Sequence, residues 1–408
     1  MADRVTVIGW DGSPPSEAAK AALGAATLVA GTRYHLALPY VPKGAEQIVL
    51  GSIEIAARRI AAHRGTAVVL ADGDPGFFGV VRALRDPEHG LEVEVVPGVS
   101  SVARAFARAG MPWDDARVVA ATSRTLRRAV NVCRAYPKVA VLTAPGAGPA
   151  ELALLLTGVH RTFVICEALG TEQEQVTVLT SDKVADHIWR EPNVVLVVGG
   201  ITSSAREVTG PGVPPTQSGG GWIAGRDPGF PGPVRGWALA ASAYGGHVPA
   251  QLRAFQLARL GPRTGDLLWD IGAADGAIAI EAARFGAAVI AVDRDADACD
   301  WITVTARRGG VQLHVVHGTA PQVLDDLPEP DVIRIGHADA EVVAACAARR
   351  PERIVTTAAT RDKAEAVTRA LEEGGYDVER ALLQSVELDS EWTERERSVT
   401  FALSGTRR

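Results

Sequence analysis

Short β-branched runs alternate with Ala- and Leu-rich stretches along nearly the whole chain, and one interval breaks that texture. Between Gly210 and Gly236 the sequence reads GPGVPPTQSGGGWIAGRDPGFPGPVRG. A segment so dense in Pro and Gly, and without period, cannot bury enough apolar area to order itself. It therefore divides the chain, and the expected division is 1–205, a linker over 206–236, and 237–408. With 408 residues of which 47% are hydrophobic, each part is large enough to carry its own core.

Ahead of the linker, strands are expected at 5–9, 27–31, 67–71, 91–96, 138–143, 162–167 and 193–199, and helices at 15–26, 44–63, 99–109 and 149–157. Several of these strands are continuous apolar runs, the pattern of strands buried on both faces of a sheet. After the linker, strands at 267–272, 288–293, 311–316, 331–336, 353–358 and 398–403 alternate with helices at 277–285, 296–308, 339–349 and 361–374. Both parts are therefore α/β, and the second is expected to be a doubly wound, mostly parallel sheet whose last strand is an antiparallel edge. The parts share no internal repeat, so two different folds are joined.

A formal net charge of −6 argues against nucleic acid as a partner, because phosphate contacts require a clustered basic face. Cys133, Cys166, Cys299 and Cys346 form no CxxC pair, so neither a metal site nor a disulfide framework is indicated. The chain starts MADRVTVIGWDG, without the basic and apolar regions of a leader, and no run is long enough to span a membrane. The expectation is a cytoplasmic protein with no membrane contact.

Leu267 to Ala283, LLWDIGAADGAIAIEAA, reads as strand, tight glycine turn and helix. That geometry brings backbone N–H groups to a ligand at the carboxyl edge of a sheet. Asp293 ends the next strand about 20 residues on, where a carboxylate can accept from both ribose hydroxyls of an adenosine. The candidate lining is Asp270, Gly272, Ala273, Ala274, Asp275, Gly276 and Asp293, and the spacing resembles the D-x-G-x-G-x-G loop of S-adenosylmethionine-dependent methyltransferases. Ala274 departs from that pattern, since a Cβ there restricts the backbone and the approach of a ligand.

In the first part, ADGDPGFFG (Ala71 to Gly79) is followed by VPGVSS (Val96 to Ser101), with VIGWDG (Val7 to Gly12) in front. Each piece by itself is a turn at a strand end or the opening of a helix. In this order they resemble the tetrapyrrole methylase family of cobalamin biosynthesis, over roughly residues 3–203. The resemblance implies a two-lobed fold, a homo-oligomer, and S-adenosylmethionine folded between the lobes. The positions that match are Gly9, Gly12, Gly73, Asp74, Pro75, Gly79, Ser100 and Ser101, with Thr143 as a further lining residue.

A tetrapyrrole methylase part followed by a Rossmann-like class I methyltransferase part is similar to the family of bifunctional, decarboxylating precorrin-6Y C-methyltransferases. That implies methylation of carbons 5 and 15 of a tetrapyrrole (precorrin) substrate, with loss of the carboxyl of the ring C acetate. The family's helix-start motif corresponds to GGHVPAQLRA (Gly245 to Ala254), where Arg253 and Ala254 are kept and Val248 and Pro249 replace Thr and Lys. Its motif after the third strand corresponds to Gly318, Thr319 and Ala320, of which Thr319 and Ala320 are candidate cofactor contacts.

Arg253 and His337, the latter just past a strand's carboxyl end, are the candidate catalytic residues. His314 and His317 would point to opposite faces of one strand. Arg104, Arg108, Arg124, Arg127 and Arg128 are candidates for holding substrate carboxylates. Two alternatives stay open: a single-site tetrapyrrole methylase with a degenerate second part, and a non-catalytic tetrapyrrole-binding scaffold.

Overall fold

The computed structural model describes residues 4–77, 79–156, 158–199, 244, 248–336 and 339–408. The expected linker and His337 lie outside these residues. The described chain forms three sheets, two before the linker and one after it.

The first sheet is built from β1 (Arg4–Trp10), α1 (Glu17–Gly24), β2 (Leu28–Gly31), α2 (Arg33–Leu36), β3 (Glu46–Val49), α3 (Ile53–Ala62), β4 (Ala67–Asp72), α4 (Val80–Leu84) and β5 (Glu92–Val96). Its order is β3-β2-β4-β1-β5 and every pairing is parallel. β1 and β4 are sealed on both faces, Val5, Val7, Ala67 and Val69 packing on one side and Ile8, Val68 and Leu70 on the other. This is the burial that the unbroken apolar runs imply.

The second sheet follows from α5 (Ser101–Ala109), β6 (Arg117–Ala120), α6 (Leu126–Ala135), β7 (Lys138–Leu142), α7 (Pro149–Leu155), β8 (Thr162–Glu167), β9 (Gln175–Thr180), α8 (Ser181–Val184) and β10 (Asn193–Val198). The order is β6-β7-β10-β8-β9, parallel at β6–β7 and antiparallel elsewhere.

The third sheet carries α9 (Ala250–Leu260), β11 (Leu267–Ile271), α10 (Ala277–Arg284), β12 (Ala288–Asp293), α11 (Ala296–Arg308), β13 (His314–His317), β14 (Val332–Ile335), α12 (Ala340–Ala348), β15 (Arg353–Ala358), α13 (Arg361–Glu373), β16 (Tyr376–Leu388) and β17 (Glu394–Arg407). The order β13-β12-β11-β14-β15-β17-β16 is parallel through β15 and antiparallel for the last two strands. Trp269, wholly buried in β11, anchors one face and donates its indole N–H to the Pro328 carbonyl at 3.1 Å.

Four differences from the sequence expectations have local causes. The helix expected over 44–63 splits into β3 and α3, because Leu50 pairs with the Gly31 carbonyl and Ser52 then caps α3 through the Ile55 N–H. The strands β6 and β9 were not expected; β9 is an edge strand with no buried residue, so its apolar signal is weak. β16 was not expected either, and it changes the position of the final strand. β17 is antiparallel as expected, yet it lies between β15 and β16, and β16 is the edge.

The two sides of the linker touch through polar contacts. Asn131 of α6 is buried and donates to the Gly265 carbonyl at 3.0 Å and to Asp331 Oδ2 at 3.3 Å, while Arg127 meets Asp331 Oδ1 at 3.1 Å.

Candidate functional site

Three turns at the carboxyl edge of the first sheet interlock backbone on backbone. A Cβ added at Gly9, near the end of β1, would lie 2.2 Å from the Gly73 carbonyl oxygen and 2.5 Å from the Gly98 nitrogen. One at Gly73, whose φ is +63°, would lie 2.8 Å from the Ser101 nitrogen. Only glycine permits this approach. It brings together Gly9, Gly73, Pro75, Ser100 and Ser101 from the expected set, and it adds Gly98. Ser100 caps α5 by accepting the Ala103 N–H at 3.0 Å, and Asp74 folds its own turn by accepting the Gly76 N–H at 2.8 Å. Gly79 opens α4 at φ +104°, away from the interlocked turns.

The first turn also meets the second sheet. Gly12, at φ +82°, is so close to the turn after β8 that a Cβ would lie 1.9 Å from the Gly170 carbonyl oxygen. Gly170 donates to Glu174 Oε2 at 2.7 Å, and Glu174 pairs with Arg108 of α5. Thr143 lies at this same edge of the second sheet, where its hydroxyl donates within 2.7 Å of both the carbonyl and the side-chain oxygen of Asn193. Gly9, Gly12, Gly73, Pro75, Ser100, Ser101 and Thr143 therefore stand where the edges of the two sheets meet, and Gly79 does not.

Two acidic residues at this cleft were missed by the sequence reading. Asp11 accepts the N–H groups of Ser13 and Val99, each at 2.9 Å. Burial would raise its carboxyl, but those donors and the charge of Arg104 hold it below the usual carboxylate range. Asp72, at the end of β4, meets Nε2 of the buried His35 at 3.0 Å. His35 Nδ1 accepts the Thr32 N–H at 3.4 Å, which leaves Nε2 as the ring nitrogen that faces the Asp72 carboxylate. The D-G-D-P run held the signal for Asp72.

At the carboxyl edge of the third sheet the loop after β11 is drawn onto β12. The Val292 carbonyl accepts from Gly272 at 2.8 Å and from Ala273 at 3.1 Å, and Asp293 Oδ2 accepts from Ala274 at 2.8 Å. Asp293 Oδ1 takes the Asp295 N–H at 3.0 Å. Gly272, Ala274 and Gly276 all have positive φ, at 67°, 53° and 73°. Ala274 thus takes up the left-handed conformation that a glycine would, at a cost of about 1–2 kcal/mol. Asp275 turns inward, buried, and caps the start of α10 through the Ala277 N–H at 3.1 Å. Gly318 donates to the Asp293 carbonyl at 2.9 Å, which sets Thr319 and Ala320 beside the loop.

Asp270 is wholly buried below this loop, and the sequence did not announce its partner. Arg334 of β14 donates to Asp270 Oδ1 at 2.8 Å and to the Gly272 carbonyl at 3.0 Å. Burial raises the Asp270 carboxyl above its usual range, and the Arg334 charge opposes that rise.

The expectation for Arg253 is corrected. Its side chain is fully enclosed between α9 and α10, with Nε 2.9 Å from Glu281 Oε1 and the guanidinium 4.9 Å above the Tyr244 ring. An arginine closed off in this way orders the start of α9 and has no face left for substrate. Among the arginines expected to hold carboxylates, Arg108 and Arg127 already pair with Glu174 and Asp331. His314 and His317 stand at the two ends of β13, both exposed. Among the described residues no group of His, Cys, Asp or Glu could hold a metal ion, and no helix is long and apolar enough to cross a membrane.

Two α/β units, each with a glycine-turn cradle at the carboxyl edge of its sheet, define a tandem methyltransferase. A family model described as tetrapyrrole (corrin/porphyrin) methylases matches residues 15–185, and one described as a precorrin methyltransferase domain matches 245–396. The precorrin-6Y C(5,15)-methyltransferase [decarboxylating] of Sinorhizobium sp is 33% identical over 345 residues, covering 82% of this chain and 78% of that protein. The chain belongs to the precorrin-6Y C(5,15)-methyltransferase [decarboxylating] family. Shorter relatives include the cobalt-precorrin-7 C(5)-methyltransferase of Salmonella typhimurium strain LT2, 35% identical over 44% of this chain and 90% of that protein. A protein of Pyrobaculum calidifontis named "Probable cobalt-precorrin-6B C(15)-methyltransferase (decarboxylating)" is 34% identical over 32% of this chain and 71% of its own length.

Proposed function

We propose that this chain is a bifunctional S-adenosylmethionine-dependent C-methyltransferase of cobalamin biosynthesis. It methylates carbons 5 and 15 of a precorrin-6Y-type tetrapyrrole and removes the carboxyl of the ring C acetate. The observation that carries this reading is the presence of two separate backbone cradles, one around Gly9, Gly73 and Gly98 and one from Gly272 to Gly276. Relatives of roughly half length, named for one methylation each, support a division of labour. In that division the part over 1–205 methylates carbon 5, a linker spans 206–236, and the part over 237–408 decarboxylates and methylates carbon 15. The proposed setting is the cytoplasm, in a homo-oligomer with no nucleic-acid partner.

When bound, S-adenosylmethionine supplies a sulfonium methyl group for in-line attack by an electron-rich carbon. Both cradles suit it, since their close backbone approaches leave glycine backbone and short side chains as the lining. In the first, Gly9, Gly12, Gly73, Asp74, Pro75, Gly79, Ser100, Ser101 and Thr143 hold it, with the α5 N-terminus offering donors. In the second, the loop from Asp270 to Gly276 holds it with Asp293, Thr319 and Ala320. Asp293 is partly exposed, and each of its oxygens keeps one lone pair for a ribose hydroxyl after binding its backbone N–H. The protein's contribution to both steps is positioning and exclusion of water. For the decarboxylation, the macrocycle takes up the electron pair left by carbon dioxide, and the protein orients the acetate.

Mass analysis of the tetrapyrrole after incubation with the full chain and S-adenosylmethionine tests this. A gain of two methyl groups with loss of one carbon dioxide is expected. A second reading, one active site with a degenerate second part, draws on Ala274, and a single methylation with the carboxyl retained would favour it. Calorimetric titration with S-adenosylmethionine that finds no site at all would favour a scaffold.

A further inference from the structure

A cavity of about 600 Å³ opens where the second sheet meets the third. On the third sheet it lies at the amino ends of β11, β12 and β13, the edge opposite Gly272 and Asp293. On the second sheet it lies at the start of β8, opposite Thr143 and Gly170. It is therefore separate from both cradles. Arg134, His160, Arg161, Arg307 and His314 line it, and among the described residues no Asp or Glu does.

Buried guanidinium groups ordinarily have carboxylate partners, because an unpaired buried charge is costly. Arg161 is only 6% exposed. Its donors go to neutral acceptors: the Cys133, Arg134 and His160 carbonyls and the Gln312 side-chain oxygen, at 3.0–3.1 Å. Arg134 donates to the Leu155 carbonyl, and its Nε is buried without a hydrogen-bond partner. No carboxylate among the described residues pairs with either guanidinium, and Asp182 of α8 reaches His160 at the margin. Burial and then the Arg161 charge depress the Arg134 pKa. The carbonyl ends of α6 and α7 offset this by roughly half a charge each, which leaves a net positive interior.

We propose that this cavity is an oxyanion site at the junction of the two halves, taking a carboxylate or phosphate group carried on a small organic body. The volume is that of a small-molecule site, and Leu267, Ile290 and Val315 offer apolar wall for the body. Arg134 and Arg161 come from the first half, Arg307 and His314 from the second, so an occupant ties the halves together.

Thermal unfolding of the full chain in inorganic phosphate, in citrate, and in chloride at matched ionic strength tests the site. A rise of about 3 °C over chloride at about 10 mM of either oxyanion is expected. The rise should shrink at least by half in Arg134→Gln and in Arg307→Gln. A response to phosphate alone assigns a phosphate occupant, and a response to citrate alone a carboxylate. Arg307 is exposed at the rim, so Arg307→Gln keeps its fold even where Arg134→Gln melts early. Identical melting in the three salts, or a rise undiminished in Arg307→Gln, overturns the proposal.

Discussion

The Asp293 carboxylate accepts the backbone N–H of Ala274 at 2.8 Å, so the residue that closes β12 also holds the turn that opens α10. A second bond, from the Asp295 N–H at 3.0 Å, fixes the other oxygen. Asp293→Ala releases both donors, at about 1–3 kcal/mol. Binding of S-adenosylmethionine at the second cradle is expected to weaken by about tenfold to a hundredfold, with the first cradle unchanged. Calorimetry on the full chain reads this as one affinity lost from two, and two unchanged affinities would count against the assignment.

Ala274 makes the opposite prediction. Its φ of +53° is strained for a residue with a Cβ, and Ala274→Gly removes that strain while adding freedom to the unfolded chain. The net expectation is a gain of about 0.5–1 kcal/mol, together with retained or tighter cofactor binding. Ala274→Val places a branched side chain at the same φ and is expected to lose more than it gains anywhere else. Denaturant titration of the two variants checks the order Gly, Ala, Val.

Gly12 and Gly170 hold the first cleft shut at its floor. A Cβ at Gly12 would stand 1.9 Å from the Gly170 carbonyl, in a left-handed backbone conformation besides. Gly12→Ala must therefore push the β1 turn away from the second sheet, at a cost of about 2 kcal/mol or more. Methylation assigned to the first half should disappear while that of the second persists. A Gly12→Ala protein that still adds both methyl groups at the normal rate would remove Gly12 from the cofactor lining.

What could be read in the chain beforehand was whatever local spacing determines. The buried strands β1, β4, β11 and β12 and both glycine turns are written in continuous apolar runs and in Gly and Asp at fixed intervals. β9 and β16 were not legible, because an edge strand buries little. The partners of the site were equally hidden. Arg334 meets Asp270 only because β14 lies beside β11, and Gly170 meets Gly12 only because two sheets close on each other. Arg253 shows the converse: it stood in a recognisable motif, but the packing of α10 encloses it against Glu281.

The depressed carboxyl of Asp11 gives a pH dependence whose sign is determined. Burial opposes ionisation, yet the Val99 and Ser13 N–H groups and Arg104 hold its pKa below the unfolded value. Such a group contributes stability that is present above the unfolded pKa of about 3.9 and is lost as pH falls through the folded one. Asp11→Asn should flatten that part of the acid profile and weaken the contact to α5. An unfolding series from pH 6 to about 2.5 compares the two proteins, and parallel profiles would show that Asp11 carries none of the acid sensitivity.

Asn131 joins the two halves through its side-chain amide. It is buried, and its amide donates to the Gly265 carbonyl and to Asp331, which in turn accepts the Leu267 N–H at 2.8 Å at the start of β11 and faces Arg127. Asn131→Leu leaves the Gly265 carbonyl and one Asp331 oxygen short of a donor, at about 1–3 kcal/mol. That loss falls on the junction and on neither core, so the expected effect is on coupling: one calorimetric transition is expected of the parent chain and two of the variant. Asp331→Ala would lower the β11 half as well, because it removes the acceptor of Leu267. If Asn131→Leu lowers a single transition without splitting it, the junction draws its cooperativity from contacts other than this amide.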